Sequence, residues 1–251
     1  MKKTILLTND DGYLAQGIRH LKALFSSEYH VYIVAPDRER SAVSMGITIN
    51  SPLRINRINE REFTIDGTPT DCINVALQQV IPQPPDFIVS GMNMGENLAE
   101  DVFYSGTVAA AYAGYLFNIP SLAVSLVGDK TQSDDDKRYN FEQGAAITAD
   151  TLEKLMLLEK SDVVYNLNIP NPCSGKTVLT SLGKKQYQTS IEERIDPRGG
   201  SYYWLGTGSP NTDGSPGTDL RAIKNGDVSL STLKYDLNCP QELQKLNEIF
   251  K

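Results

Sequence analysis

Short apolar runs alternate with amphipathic stretches along the first two-thirds of this 251-residue chain, a rhythm that predicts an α/β fold. The runs at 5–7, 31–35, 87–89, 121–126 and 163–167 are largely apolar, as strands buried on both faces of a parallel sheet are. The stretches between them carry apolar residues at helical spacing. From about residue 171 the composition turns to Gly, Thr, Tyr and Ser, with short alternating runs at 177–179 and 228–230. The expected architecture is a Rossmann-like open, mostly parallel sheet with helices on both faces over residues 1–170. A β-rich C-terminal arm ending in a helix is expected over 171–251.

Each element has its own local signature. The first strand runs into Asn9-Asp10-Asp11-Gly12, and residues 17–25 then place Ile18, Leu21, Leu24 and Phe25 on one helical face. Pro36 stops the second strand. Thr68-Pro69-Thr70-Asp71 opens a helix: Thr68 caps it, Pro69 suits the first turn, and Asp71 sits where a capping-box carboxylate belongs. Ile73, Ala76, Leu77 and Val80 form its apolar face. After the strand at 87–89, Ser105-Gly106-Thr107 leads into a helix of small residues at 108–116. A strand at 121–126, a helix at 145–158 and a strand at 163–167 complete the pattern, which Pro170 and Pro172 end. Asp134-Asp135-Asp136 reads as a solvated loop, and residues 241–250 as a terminal helix.

Composition removes several function classes. The net charge is −7 and no lysine/arginine run supplies the basic stripe that binding to a nucleic-acid duplex needs. Forty per cent hydrophobic and 22% charged residues are ordinary for a soluble globular protein. The apolar stretch at 108–117 is too short to span a bilayer, and the one after Met1-Lys2-Lys3 is too short for a signal peptide. Three dispersed cysteines form neither a disulfide framework nor a zinc knuckle, which fits the reducing cytoplasm. Gly175-Lys176-Thr177 matches the tail of a P-loop, but Pro170 stands where its first glycine is required.

In open parallel sheets, ligands bind beyond the carboxyl ends of the strands. Three polar segments fall there: Asn9-Asp10-Asp11-Gly12, Pro36-Asp37-Arg38-Glu39-Arg40-Ser41, and Ser90-Gly91-Met92-Asn93-Met94-Gly95-Glu96-Asn97. Taken singly, Ser41 reads as a helix cap and Asn93 as a turn residue; their shared rim groups them with the aspartates. Adjacent carboxylates repel and resist burial, so Asp10 and Asp11 call for a cation. The rim offers carboxylate, hydroxyl and amide oxygens, which suit Mg²⁺ or Mn²⁺. His20 and His30, the only histidines, read as surface or packing residues. Ser105, Gly106 and Thr107 at a helix start form a candidate phosphate cradle.

At these residues the chain resembles the SurE (survival protein E) family of metal-dependent 5′/3′-nucleotidases. The matching segments are those around Asp10–Asp11, Ser41, Thr68–Asp71, Asn93–Asn97 and Ser105–Thr107, with Asp196-Pro197-Arg198-Gly199 and Tyr202-Tyr203-Trp204-Leu205-Gly206 further on. Their order holds from Lys3 to about Leu237. The resemblance implies one divalent cation per subunit held by Asp10, Asp11, Ser41 and Asn93. On the reading of the residues themselves, Asp10 or Asp11 is expected to take the proton of the attacking water, and Asn9, Asn97, Ser105, Gly106 and Thr107 to meet the phosphate. The resemblance implies nucleoside monophosphate substrates. It also implies a homodimer or homotetramer built through the C-terminal arm. Family members usually carry a glutamate where this chain has Ala113, and commonly a proline where it has Gln16. The rival reading is a nucleotide-binding regulatory module whose cation only anchors a ligand; release of phosphate separates the two.

Overall fold

The computed structural model describes residues 2–158, 162–187, 189–207 and 211–250. Strand β1 (Thr4–Thr8) lies between β2 (His30–Pro36) and β5 (Phe87–Met94), parallel to both. Outward from β2 come β4 (Glu62–Ile65) and the antiparallel edge strand β3 (Ile55–Arg57). Outward from β5 come β6 (Ser121–Val127) and β7 (Val164–Pro170), both parallel. Strand order therefore reverses between β1 and β5, and that switch point is where an open α/β sheet offers a crevice.

Side-chain alternation assigns the two faces. Ile5 and Leu7 point into one core with Ile33, Phe87 and Val89, while Leu6 points into the other with Val34 and Ile88. The first face is covered by α1 (Gln16–Phe25) and α5 (Phe141–Leu155), through Ile18, Leu21, Phe25, Phe141 and Leu152. Gly17 lets α1 lie directly on β5, since a Cβ there would meet the Met92 carbonyl at 2.1 Å. The second face takes α2 (Pro69–Val75), which ends in a π-turn at Ala76–Val80, and α3 (Gly106–Leu116). The Thr68 capping box forms as expected, with Asp71 N–H donating to Thr68 Oγ1 at 3.1 Å and Thr68 N–H to Asp71 Oδ2 at 2.9 Å. Ala113 is buried in this second core, where a glutamate would place a carboxylate among apolar side chains. His20 stacks on Phe141 at 5.3 Å, a packing role.

Two expectations about the sheet are corrected. Strand β5 does not stop at Val89. A bulge between Ser90 and Asn93 keeps it paired with β6 as far as Met94, and Gly91 supplies the φ of +141° that the bulge needs. Nor does the sheet end at Pro170. Strand β8 (Thr177–Thr180) and β13 (Val228–Leu233) extend it to nine strands among the described residues, with β13 antiparallel to β7 and β8 parallel to β13. Without β13 the edge of β7 would leave its backbone donors and acceptors unpaired.

Between β8 and β13 the chain makes an excursion. It holds β9 (Lys184–Gln186), a hairpin of β10 (Thr189–Ile195) and β11 (Ser201–Thr207), β12 (Asn211–Asp213) paired with β9, and α6 (Asp219–Lys224). The short helix α4 (Asp135–Arg138) stands where a loop was expected, and α7 (Pro240–Ile249) ends the fold.

One polar hub fastens α1 to β4. Glu62 is buried and accepts hydrogen bonds from Tyr13 Oη at 2.8 Å, Arg19 Nη1 at 2.9 Å, Lys22 Nζ at 2.6 Å and Asn59 Nδ2 at 2.5 Å. Burial alone would raise its pKa, but these donors outweigh burial and hold it at about 2, against an ordinary 4.5. The folded-state value lies below the unfolded one. The stabilisation is therefore complete above about pH 4.5 and is lost as the pH falls towards 2. Glu62→Gln should cost roughly 2–3 kcal/mol at pH 7, discounting for partners one-third exposed to solvent. Denaturant unfolding of the two proteins should converge as the pH drops through that window; parallel stability curves would refute the role.

Candidate active site

The strand-end loops of β1 and β2 are stitched together. Arg40 N–H donates to the Asp10 carbonyl at 2.7 Å, and Tyr13 N–H to the Pro36 carbonyl at 2.9 Å. Gly12 turns the first loop with φ +94°, and a Cβ there would lie 3.0 Å from the Arg38 backbone. Asn9 Nδ2 closes the turn by donating to the Gly12 carbonyl at 2.9 Å. Asn9, expected as a phosphate ligand, is fully buried, and its amide serves this turn.

Asp10 is 4% exposed. Thr107 Oγ1 donates to its Oδ1, and Thr107 N–H donates to its Oδ2 at 3.1 Å. The Asp10 carboxylate thus occupies the positive N-terminus of α3. Gly106 permits that approach, since a Cβ would fall 2.9 Å from Asp10 Cβ. Gly106 and Thr107, expected in a phosphate cradle, here meet a carboxylate of the chain itself. Ser105 caps α3 by accepting from Val108 N–H at 3.0 Å, which leaves its hydroxyl hydrogen for the cleft that it lines.

Burial pushes the pKa of Asp10 up against its hydrogen bonds. Burial, then the charges of Asp10 and Glu39, push Asp11 up to about 7, opposed by Met94 N–H donating to its Oδ2 at 3.2 Å. The pair resists carrying two negative charges by itself.

Ser41 lies in an exposed turn, not at a helix cap, and its Oγ donates to Glu39 Oε1 at 2.8 Å. The turn continues through Ala42 and Ser44 at φ +56° and +50°, a left-handed geometry unusual for side-chain-bearing residues. Ser44 Oγ, donating to the Phe103 carbonyl at 2.7 Å, ties it to the segment before α3. Asn93 follows the β5 bulge; its Nδ2 donates to the Gly95 carbonyl at 2.9 Å, leaving Oδ1 as the open donor atom. Asp10, Asp11, Ser41, Asn93, Asn97 and Ser105 all face one cleft of about 690 Å³ at the switch point. Asn97 is held by its backbone and side chain, with N–H to Asn168 Oδ1 at 2.9 Å and Nδ2 to Ser125 Oγ at 2.8 Å.

The donor set fits a hard divalent cation. It comprises two carboxylates, one hydroxyl and one amide oxygen. Among the described residues no cluster of three His, Cys, Asp or Glu side chains forms, so the zinc-type arrangement is missing. A cation bound here would offset the burial that raises both aspartate pKa values and the Asp10 charge that adds to the rise at Asp11. Beneath the pair, Thr8 Oγ1, Asn9 Oδ1 and Ser90 Oγ are buried polar atoms without protein partners, a polar floor under the strand ends.

Sequence reasoning missed Glu39, Asp101, Tyr187 and Leu205, which also line the cleft. Glu39 had a signal in its place two residues before Ser41. The other three come from the segment before α3 and from the excursion, and only the tertiary fold brings them in. Thr107→Val should weaken Mn²⁺ binding by roughly 10–100-fold, because it frees Asp10 Oδ1 from its hydroxyl partner. Titration calorimetry measures this, and an unchanged affinity would remove Thr107 from the site's support.

The family model for survival protein SurE matches residues 5–189. A 5′-nucleotidase SurE of Geotalea uraniireducens is 42% identical over 238 residues, covering 93% of each chain. The 5′-nucleotidase SurE of Heliobacterium modesticaldum is 36% identical, covering 97% of this chain and 90% of its own. The crystal structure of the SurE protein from Aquifex aeolicus superposes with a TM-score of 0.83 at 34% identity, covering 99% of this chain and all of that one. With this likeness running through the whole α/β core and the strand-end aspartates, the chain belongs to the SurE family.

Proposed function

We propose that this protein is a metal-dependent phosphomonoesterase that hydrolyses nucleoside 5′-monophosphates, and 3′-monophosphates, to nucleoside and phosphate. One observation carries the reading: the Asp10–Asp11 pair sits at the switch point, in a cleft of nucleotide size that no Lys or Arg lines among the described residues. A phosphate dianion entering this cleft needs a cation that the side chains do not supply. The relatives named above as 5′-nucleotidases support the substrate class.

Asp10, Asp11, Ser41 and Asn93 would hold one Mg²⁺ or Mn²⁺. Bound there, the ion supplies positive charge to a phosphoryl oxygen and lowers the pKa of water. Thr107 keeps Asp10 in place. The Ser105 hydroxyl and the second hydrogen of Asn97 Nδ2 donate to phosphoryl oxygens. Both Asp10 oxygens already take bonds from Thr107, whereas Asp11 takes one from Met94. Asp11 therefore has the freer oxygen with which to accept the proton of the attacking water.

We also assign self-association to the C-terminal arm. Ile191, Ile195 and Tyr203 are each more than 60% exposed on the hairpin, and α7 buries none of its residues. No helix among the described residues is long and apolar enough to cross a membrane, and Cys72, Cys173 and Cys239 are unpaired, which supports a place in the cytoplasm.

Asp10→Asn should lower phosphate release from adenosine 5′-monophosphate at least ~10³-fold with an unchanged circular dichroism spectrum. Chelation should abolish wild-type turnover, and Mg²⁺ or Mn²⁺ should restore it. Full activity of either the variant or the chelated protein would overturn the reading. Light scattering should find a dimer or tetramer at micromolar concentration; a single chain would overturn the role of the arm.

A further inference from the structure

The cleft has a second wall of different chemistry. Sharing the cleft with the oxygen-rich strand ends are Tyr104, Tyr187 and Leu205, which are 62%, 40% and 78% exposed. Met94, beside the acidic pair, is 38% exposed to the same space. Leaving large apolar side chains bare in a cleft forgoes the gain of burying them, unless a ligand covers them.

Two of these side chains come from the excursion between β8 and β13, and that segment is fastened to the core beside the cleft. Lys185 is buried, and its Nζ donates to Glu96 Oε1 at 2.9 Å and to Asp101 Oδ2. Burial alone would lower the lysine pKa, but Asp101 and Glu96 outweigh it and raise it, so the ammonium stays charged. Tyr187 Oη donates to Asp101 Oδ1, which fixes the ring at the cleft wall. The fully buried Asp219 accepts from Ala99 N–H at 2.8 Å and Gly183 N–H at 2.7 Å, joining the segment before α3 to the start of the excursion. An anchored aromatic ring, a second tyrosine and a leucine make a sequence-tolerant stacking surface for a planar heterocycle.

We infer that Tyr187 and Leu205, with Tyr104, form the subsite for the nucleoside base, so that the C-terminal excursion completes the substrate cleft within its own chain. This inference rests on the nucleotidase reading and adds to it which part of the substrate the excursion holds. The acidic wall takes the phosphate end through its cation, and the apolar wall takes the uncharged end. Simple phosphate esters without a ring gain nothing from the second wall.

The test compares adenosine 5′-monophosphate with glycerol phosphate. Tyr187→Ala and Leu205→Ser should each lower the ratio of kcat/KM for the nucleotide over that for glycerol phosphate at least tenfold, with the loss falling in KM. Leu205 is 78% exposed, so its variant keeps the core intact should Tyr187→Ala fold poorly. A ratio within threefold of wild type in Leu205→Ser, or an equal loss on both esters, would overturn the subsite. Calorimetric binding of adenosine, which carries the base and no phosphate ester to hydrolyse, to wild type and Leu205→Ser decides the matter without turnover: an affinity weakened tenfold supports the subsite, and an unchanged one overturns it. Absence of any phosphate release by wild type would instead sink the nucleotidase reading and leave this binding comparison standing.

Discussion

Two like charges held side by side at the dry end of a sheet govern the rest of this molecule. Asp10 is almost wholly removed from water, and Asp11 is pressed against it. An isolated carboxylate in such a place gives up its proton reluctantly. The fold meets that cost from several directions: the Thr107 hydroxyl and N–H, the end of α3, and oxygen donors brought by the β2 loop and the β5 bulge. The cation proposed for this site would complete the compensation. Charge, helix placement and bulge belong to one arrangement, in which each part answers the repulsion at its centre.

The frame was readable from local pattern. The buried runs at β1, β2 and β6 are short and apolar because both faces are covered, and Thr68, Pro69 and Asp71 announce their helix by side-chain chemistry acting over three residues. The aspartate pair was legible for the same reason: adjacency is a sequence property, and so is the cost of like charges. Other parts depend on distance. Asp10 and Thr107 are 97 residues apart, and nothing near either residue says that one will hold the other. Ser105-Gly106-Thr107 reads as an anion cradle in isolation because a helix start looks the same whether its anion arrives from solvent or from the chain.

The bulge in β5 illustrates a different limit. Ser90-Gly91-Met92-Asn93 mixes small, apolar and polar residues without a period, so it reads as a loop. Pairing with β6 resumes beyond it, and the extra length of backbone re-aims Asn93 towards the cleft. The end of the sheet was hidden for a related reason: β13 is short and partly polar, and its place against β7 is set by an edge needing partners. Nothing local places Tyr187 and Leu205 at the cleft, although Leu205 lies in a recognisable segment, because only the tertiary fold brings them there.

The route of the chain between β8 and β13 has one more consequence. Both strands are laid into the same sheet, so residues 181–218 form a detour whose two ends are pinned close together on a rigid support. Lengthening, shortening or reshaping that detour alters the outer rim of the crevice while leaving Asp10, Asp11 and their neighbours at the strand ends untouched. On the assignments proposed above, selectivity and reactivity are thereby carried by separable stretches of one polypeptide.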